Sequence, residues 1–251
     1  MMPAATANLD PREIAQFEAL AAEWWDLAGP FAMLHRLGPA RLGIIRDAVR
    51  SHFPAAGPGR RILKGLTCLD AGCGGGLVAE PLARLGGTVT AIDPAEGNIA
   101  AARHHAGLVG LEIDYRATTA EDLSAAGATF DLVTCLEVIE HVPDPAAFVA
   151  TIAALVKPGG LAIFSTLNRT PQSYALAIVG AEYVLAWVPR GTHHWHRFVT
   201  PRELADYCTA AGLETPDTEG IVFDPLRDQW RRSSDTGVNY MATAAKPAAV
   251  I

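Results

Sequence analysis

What this chain has little of narrows its chemistry before any motif is read. Basic charge is scarce: 20 Lys and Arg stand against 27 Asp and Glu, a formal net charge of -7. Affinity for a phosphate backbone leans on clustered cations, so no nucleic-acid partner is expected. Cysteine is sparse, and Cys68, Cys73, Cys135 and Cys208 show no metal-type pairing. They read as reduced thiols of a cytoplasmic protein. The first ten residues hold neither a basic cluster before an apolar run nor an Arg-rich pattern, so no targeting segment is visible. Long hydrophobic runs are missing too. The most apolar stretch, YALAIVGAEYVLAWV at 174–188, falls short of the roughly 20 residues a bilayer span needs, and Glu182 interrupts it. No internal repeat or low-complexity tract is present.

What is there is enough apolar sequence, half of 251 residues, to bury one substantial core. The expected organisation is an N-terminal helical extension and linker over 1–60, followed by one α/β domain over 61–251 that includes a helical insert at 168–197. Asp10 can cap a helix with Pro11 at its first position and Glu13 at the capping-box position. Ile14, Phe17, Leu20, Ala21 and Trp24 then recur at helical spacing. A second helix is predicted over 39–49, before the Pro/Gly-rich link FPAAGPGR at 53–60. From Leu66 onward short apolar runs alternate with helical stretches, the pattern of a doubly wound, mostly parallel α/β sheet. Strands are predicted at 66–69, 88–92, 113–115, 130–135, 161–165 and 238–244, with helices near 77–85, 96–106 and 145–155. Lys157-Pro158-Gly159-Gly160 reads as a helix stop and turn, and Thr200-Pro201 starts a further helix closed by Gly212.

Asp70 to Gly76 (DAGCGGG) follows the first of these strands directly. A loop there lies at the carboxyl edge of a parallel sheet, where open α/β folds bind ligands, and Gly72, Gly74, Gly75 and Gly76 let a ligand approach the backbone. Asp93 closes the next strand roughly 20 residues on, where a carboxylate can bind both ribose hydroxyls, so a nucleoside ligand is indicated. Residues 74–79 can also be read as GxGxxA, which a nicotinamide site tolerates. Asp70 weighs against that: a carboxylate just before the loop repels a pyrophosphate and suits a ligand carrying ammonium and sulfonium charges.

At these positions the chain resembles the class I S-adenosylmethionine-dependent methyltransferase family, whose DxGxGxG motif stands here as Asp70, Gly72, Gly74 and Gly76. The resemblance continues through Asp93, Ala120-Glu121-Asp122-Leu123 and LVKPGG at 155–160. It implies that Gly72 lies along the methionine moiety, that Asp93 binds the ribose, and that the Glu121-Asp122 loop lies near the adenine. Outside the core, residues 17–43, STLNRT at 165–170, 179–193 and VNYM at 238–241 look like the O-methyltransferases of ubiquinone biosynthesis. That resemblance implies a polyprenylated catechol or quinol substrate and association with other enzymes of the same pathway. It also implies donor contacts from Arg41, Gly72, Asp93 and Leu136. A cation on a helix of the extension can pair with the methionine carboxylate. The remaining rivals are a methyltransferase for another small aromatic or carbon acceptor, a nicotinamide dehydrogenase and a non-catalytic binding protein.

The acceptor side centres on CLEVIEHVPDP, just past the strand 130–135. If this segment turns as a helix, Glu137, Glu140 and His141 share one face. Two carboxylates and an imidazole suit Mg, Mn or Zn, and the family's eukaryotic relatives are implied to use the equivalent cluster. Without a metal, the segment still offers His141 as general base for a phenolic proton. His193, His194 and His196 form the densest histidine cluster, read as a lid or substrate contact rather than a second metal site. The 174–188 stretch, flanked by Arg169 and Arg190, reads as an interfacial segment that meets anionic lipid and receives a polyprenyl tail.

Overall fold

Successive residues of the central strands enter two different cores, one on each face of the sheet. The structure is a computed structural model that describes residues 8–53, 59, 61–175 and 195–249. Five parallel strands, β1 (Thr67–Ala71), β2 (Thr88–Asp93), β3 (Asp114–Ala117), β4 (Phe130–Leu136) and β5 (Val156–Leu167), are followed by β6 (Asp217–Asp224), β7 (Gln229–Ser233) and β8 (Asn239–Ala245), which pair antiparallel. Their spatial order is β3-β2-β1-β4-β5-β8-β6-β7. Leu69, Val133, Phe164 and Tyr240 point to one core, and their neighbours Cys68, Leu132, Ile163 and Met241 to the other. This period of two on strands buried on both faces is why they read as continuous apolar runs.

Around the sheet lie helices α1 (Pro11–Ala19), α2 (Ala32–His52), α3 (Ala79–Arg84), α4 (Glu96–Leu108), α5 (Ala120–Ala125), α6 (Pro145–Leu155), the short α7 (Pro171–Ser173) and α8 (Pro201–Ala210), with 3-10 turns at Ala21–Glu23, Ile139–His141 and Trp195–Arg197. Side chains of α5, α6 and α8 fill the first core; those of α2, α3 and α4 fill the second. All four cysteines are free and buried, and burial raises their thiols, Cys68 and Cys208 each to about 12.

Several elements differ from expectation for identifiable reasons. The helix expected over 39–49 begins at Ala32 and carries Pro39 inside it. An interior proline costs about 3 kcal/mol. Here Leu37, Ile44, Ile45 and Val49 are buried against the sheet, at about 1.5–3 kcal/mol for each large side chain, and that outweighs the proline. Residues 157–160, expected as a turn, lie within β5. The ladder to β4 steps from Phe130↔Val156 to Leu132↔Leu161, so the intervening residues bulge, with Gly159 at φ 78. Glu13 does not reach back to close a capping box, although Asp10 does accept from the Arg12 N–H at 3.0 Å.

The β6–β7 hairpin is absent from the sequence reading, because β7 is a charged edge strand and β6 carries Gly220 in its interior. A Cβ on Gly220 would lie 1.7 Å from the Asp235 carbonyl oxygen, so close backbone approach demands the glycine. The expected insert from 176 onward, His193 and His194 lie outside the described residues. No helix among the described residues is long and apolar enough to cross a membrane.

Candidate active site

The strand order reverses beside β1: the chain builds outward through β2 to β3, then returns to place β4 on the other flank. The crevice at the carboxyl ends of β1 and β4 is therefore the topological switch point, where this type of sheet binds ligands. A cavity of about 240 Å³ opens there, lined by Arg41, Asp70, Gly72, Gly74, Asp93, Glu121, Leu136, Glu137, Glu140 and His141, while Gly75, Gly76, Asp122 and His196 of the expected site residues are not in its lining. Asp122 is occupied elsewhere. Its carboxylate accepts from the Thr119 hydroxyl at 2.8 Å, its N–H donates to the same oxygen, and Thr119 thereby caps α5. Residues 121–122 are the first turn of a helix rather than a loop, and only Glu121 faces the cavity; its buried Oε1 has no hydrogen-bond partner among the described residues.

Asp93 organises the glycine loop. Its Oδ2 accepts from the Gly74 N–H at 3.0 Å, and its Oδ1 from the Ala95 N–H at 2.9 Å and Asn98 Nδ2 at 3.1 Å. A carboxylate offers roughly four acceptor positions, so about one remains for a ligand where two ribose hydroxyls were expected. Burial raises the Asp93 carboxyl above its ordinary value. The glycines also answer a different need from the one expected. A Cβ on Gly74 or Gly75 would lie 2.4 Å from carbons of Trp24, whose ring stacks on Phe31 at 3.7 Å and whose Nε1 donates to Asn98 Oδ1 at 2.8 Å. The protein's own indole, as much as any ligand, requires the bare backbone.

Two unsatisfied groups of opposite character face the cavity. Asp70 is buried at the end of β1; Oδ1 accepts from the Thr134 hydroxyl at 2.8 Å, while Oδ2 has no partner among the described residues. Burial pushes its carboxyl up to about 7. Arg41, on the buried face of α2, pairs through Nη2 with Glu137 Oε1 at 2.8 Å, and its buried Nε has no hydrogen-bond partner among the described residues.

Glu137, Glu140 and His141 do not turn as an α-helix. Glu137 takes a left-handed φ of 57, and a single 3-10 turn over Ile139–His141 follows. The three side chains consequently diverge to different partners. Glu137 holds Arg41 and accepts from the Ser165 hydroxyl at 2.6 Å. Glu140 accepts from the Thr166 hydroxyl at 2.8 Å, and burial with Glu137 beside it raises its carboxyl to about 7. His141 Nδ1 meets Glu13 Oε2 at 3.0 Å. Among the described residues no group of three His, Cys, Asp or Glu side chains is placed to hold a metal ion, so these side chains do not fit the divalent site that the resemblance implied.

A family model described as a methyltransferase domain matches residues 41–216. A ubiquinone biosynthesis O-methyltransferase of Methylobacterium sp. (strain 4-46) is 54% identical over 242 residues, covering 96% of this chain and 97% of that protein. A protein of the same name from Methylocella silvestris is 54% identical, with 97% of each chain covered. The chain belongs to the ubiquinone biosynthesis O-methyltransferase family. Among solved structures, magnesium protoporphyrin IX methyltransferase of Synechocystis PCC 6803, with bound SAH, superposes with a TM-score of 0.62 at 19% identity, covering 92% of this chain and 94% of that one. That likeness establishes the class I methyltransferase architecture.

Within this O-methyltransferase family frame, several side chains of the site escape a sequence reading. Trp24 and Phe31 show only as members of the 17–43 segment that carries the resemblance, Ser165 and Thr166 only as members of STLNRT, and Glu13 only as a helix-start signal. No spacing rule links Glu13 to His141, 128 positions away.

Proposed function

We propose that this cavity binds S-adenosylmethionine and transfers its methyl group to a phenolic oxygen of a polyprenylated catechol or demethylubiquinol. The observation that carries the reading is that one cavity is lined by a carboxylate and a guanidinium, each with a buried polar atom that has no hydrogen-bond partner among the described residues. Asp70 Oδ2 suits the donor's ammonium and Arg41 Nε its carboxylate, an arrangement that matches a zwitterionic amino acid. Asp93 takes a ribose hydroxyl, Glu121 lies on the adenine side, and Gly72, Gly74 and Leu136 supply the walls. His141, whose Nε2 makes no hydrogen bond among the described residues, takes the phenolic proton as the acceptor oxygen bonds to the methyl carbon and the carbon–sulfur bond breaks. The sulfonium leaves as a neutral thioether, so the protein's task is alignment and removal of one proton. Incubation with S-adenosylmethionine and a short-chain catechol should yield the mono-O-methyl product; no methylated product would reject the acceptor assignment.

Donor binding should also depend on pH through Asp70. A carboxyl held near 7 when folded favours the fold in its protonated form, so its contribution to stability is complete below the ordinary 3.8 and is lost as pH rises through about 7. A cationic donor needs the ionised form, so affinity moves oppositely. S-adenosylhomocysteine, titrated calorimetrically, should bind roughly tenfold more tightly at pH 7.5 than at pH 5.5. Asp70→Asn should weaken binding and flatten that dependence; a steep dependence surviving in the variant would place its origin elsewhere.

A further inference from the structure

His141 sits on the short turn after β4, yet the group that orients its ring comes from α1, 128 positions earlier in the chain. We propose that Glu13, on α1, is a positioning residue that fixes the orientation and tautomer of His141 for methyl transfer, so that the base is complete only while the N-terminal segment is docked. The inference rests on the reading of His141 as the base.

Glu13 divides its two oxygens between two partners: Oε2 meets His141 Nδ1 at 3.0 Å and Oε1 accepts from Arg197 Nη1 at 2.9 Å. An ionised carboxylate only accepts, so Nδ1 carries the proton and donates, which leaves the Nε2 lone pair available whenever the ring is neutral. Burial opposes the charged ring, but the Glu13 hydrogen bond and the Glu140 and Glu137 carboxylates raise His141 above its ordinary value, so the base form is reached on the alkaline side of that titration. The hydrogen bond from His141 indeed holds the Glu13 carboxyl below its ordinary value. The ring is fixed on a second side by the Phe17 ring, edge to face at 5.4 Å, also from α1. Glu13 itself has no freedom to wander, because Arg197 bridges it to Asp10 at 3.0 Å. The segment is tied down at both ends of α1. The Asp144 N–H donates to Asn8 Oδ1 at 2.9 Å on one side, and the Gly97 N–H donates to Glu18 Oε1 at 2.8 Å on the other. A histidine base backed by a carboxylate on Nδ1 is a recurrent arrangement in acid–base catalysis, and the carboxylate there acts on geometry and tautomer rather than by taking the proton.

The test is a double-mutant cycle in the full-length protein, with kcat on a short-chain catechol measured beside the Kd for S-adenosylhomocysteine. Glu13→Ala should lower kcat by roughly ten- to thirtyfold with the Kd unchanged, a share of the 10²–10⁴ that a general base contributes. Glu13→Gln, which keeps an acceptor for Nδ1 but no charge, should recover part of the loss. Glu13→Ala combined with His141→Ala should be no slower than His141→Ala alone. Asp10→Asn removes the ion pair to Arg197 but keeps the helix cap and Glu13 itself, and should lower kcat by clearly less than Glu13→Ala does. A drop in Asp10→Asn equal to that in Glu13→Ala would reduce Glu13 to a docking contact and overturn the proposal. So would additive losses in the double variant. Parent activity in Glu13→Ala with His141→Ala impaired would overturn this inference alone, whereas parent activity in His141→Ala would overturn the base assignment beneath it.

Discussion

Asp93→Ala is expected to weaken S-adenosylhomocysteine binding by about 100-fold or more and to lower the melting temperature by roughly 10–20 °C. The substitution strips the acceptor from the Gly74 N–H, the Ala95 N–H and Asn98 Nδ2 at once, all in buried surroundings. A buried donor left unpaired costs about 1–3 kcal/mol, so three cost several. Each kcal/mol moves the melting point of a chain this size by roughly 2–4 °C. The binding loss has two sources: the ribose contact disappears, and the glycine loop loses the bond that fixes Gly74. Asp93→Asn keeps one carbonyl acceptor but turns a second donor toward an N–H, so it should recover only part of either quantity. Calorimetric titration and differential scanning calorimetry read the two effects separately. Unaltered affinity for the donor product would remove Asp93 from the donor site.

The second large effect is expected at Arg41. Arg41→Ala leaves Glu137 without its cation; the arginine side chain is 6% exposed and the carboxylate 18%, so the loss should fall at or below the ~3–5 kcal/mol that breaking a fully buried pair costs. It also removes the proposed partner of the donor carboxylate, a charge-assisted bond whose loss of about 1.5–3 kcal/mol corresponds to roughly ten- to a hundredfold in Kd. These two losses can be taken apart. Glu137→Gln in the Arg41→Ala background should restore much of the melting temperature, because the stranded carboxylate is gone, and none of the donor affinity. Arg41→Lys should fall between, since an ammonium keeps the charge but not the planar fork. If the double variant regained affinity along with stability, Arg41 would serve Glu137 alone.

The parts of the molecule legible in the sequence are those where one local rule governs. Strands β1, β2, β4 and β8 read correctly because burial on both faces leaves continuous apolar runs bounded by turns. Helix α8 was legible from Thr200-Pro201, and its capping box with Glu203 forms as the spacing requires. The glycine loop and Asp93 were legible as a unit because a strand end and a helix start leave few other uses for such residues. Failures occur where tertiary packing overrides the local signal. Pro39 argues for a helix start, and only the apolar face of α2 against the sheet explains why the helix passes through it. CLEVIEHV carries helical spacing, but Glu137 is held in a left-handed conformation with its carboxylate on Arg41 and Ser165, so the turn never propagates. Glu13 illustrates the limit most plainly: its neighbours assign it to a helix cap, and its contacts assign it to His141 and Arg197.

The position of β8 has a consequence for how this chain can be made. Its residues form the last of the described strands in sequence, yet they lie between β5 and β6, pairing Leu161 through Leu167 on one side and 217–221 on the other. While a ribosome still holds that stretch, β5 presents an unpaired edge and the β6–β7 hairpin has no sheet to join. Such a nascent chain carries a strand template open to its neighbours until synthesis passes Ala245, and completion of the sheet waits on contacts of long sequence separation. Premature stops ahead of Asn239 should therefore show up as aggregation in the cell well before any kinetic defect could be measured.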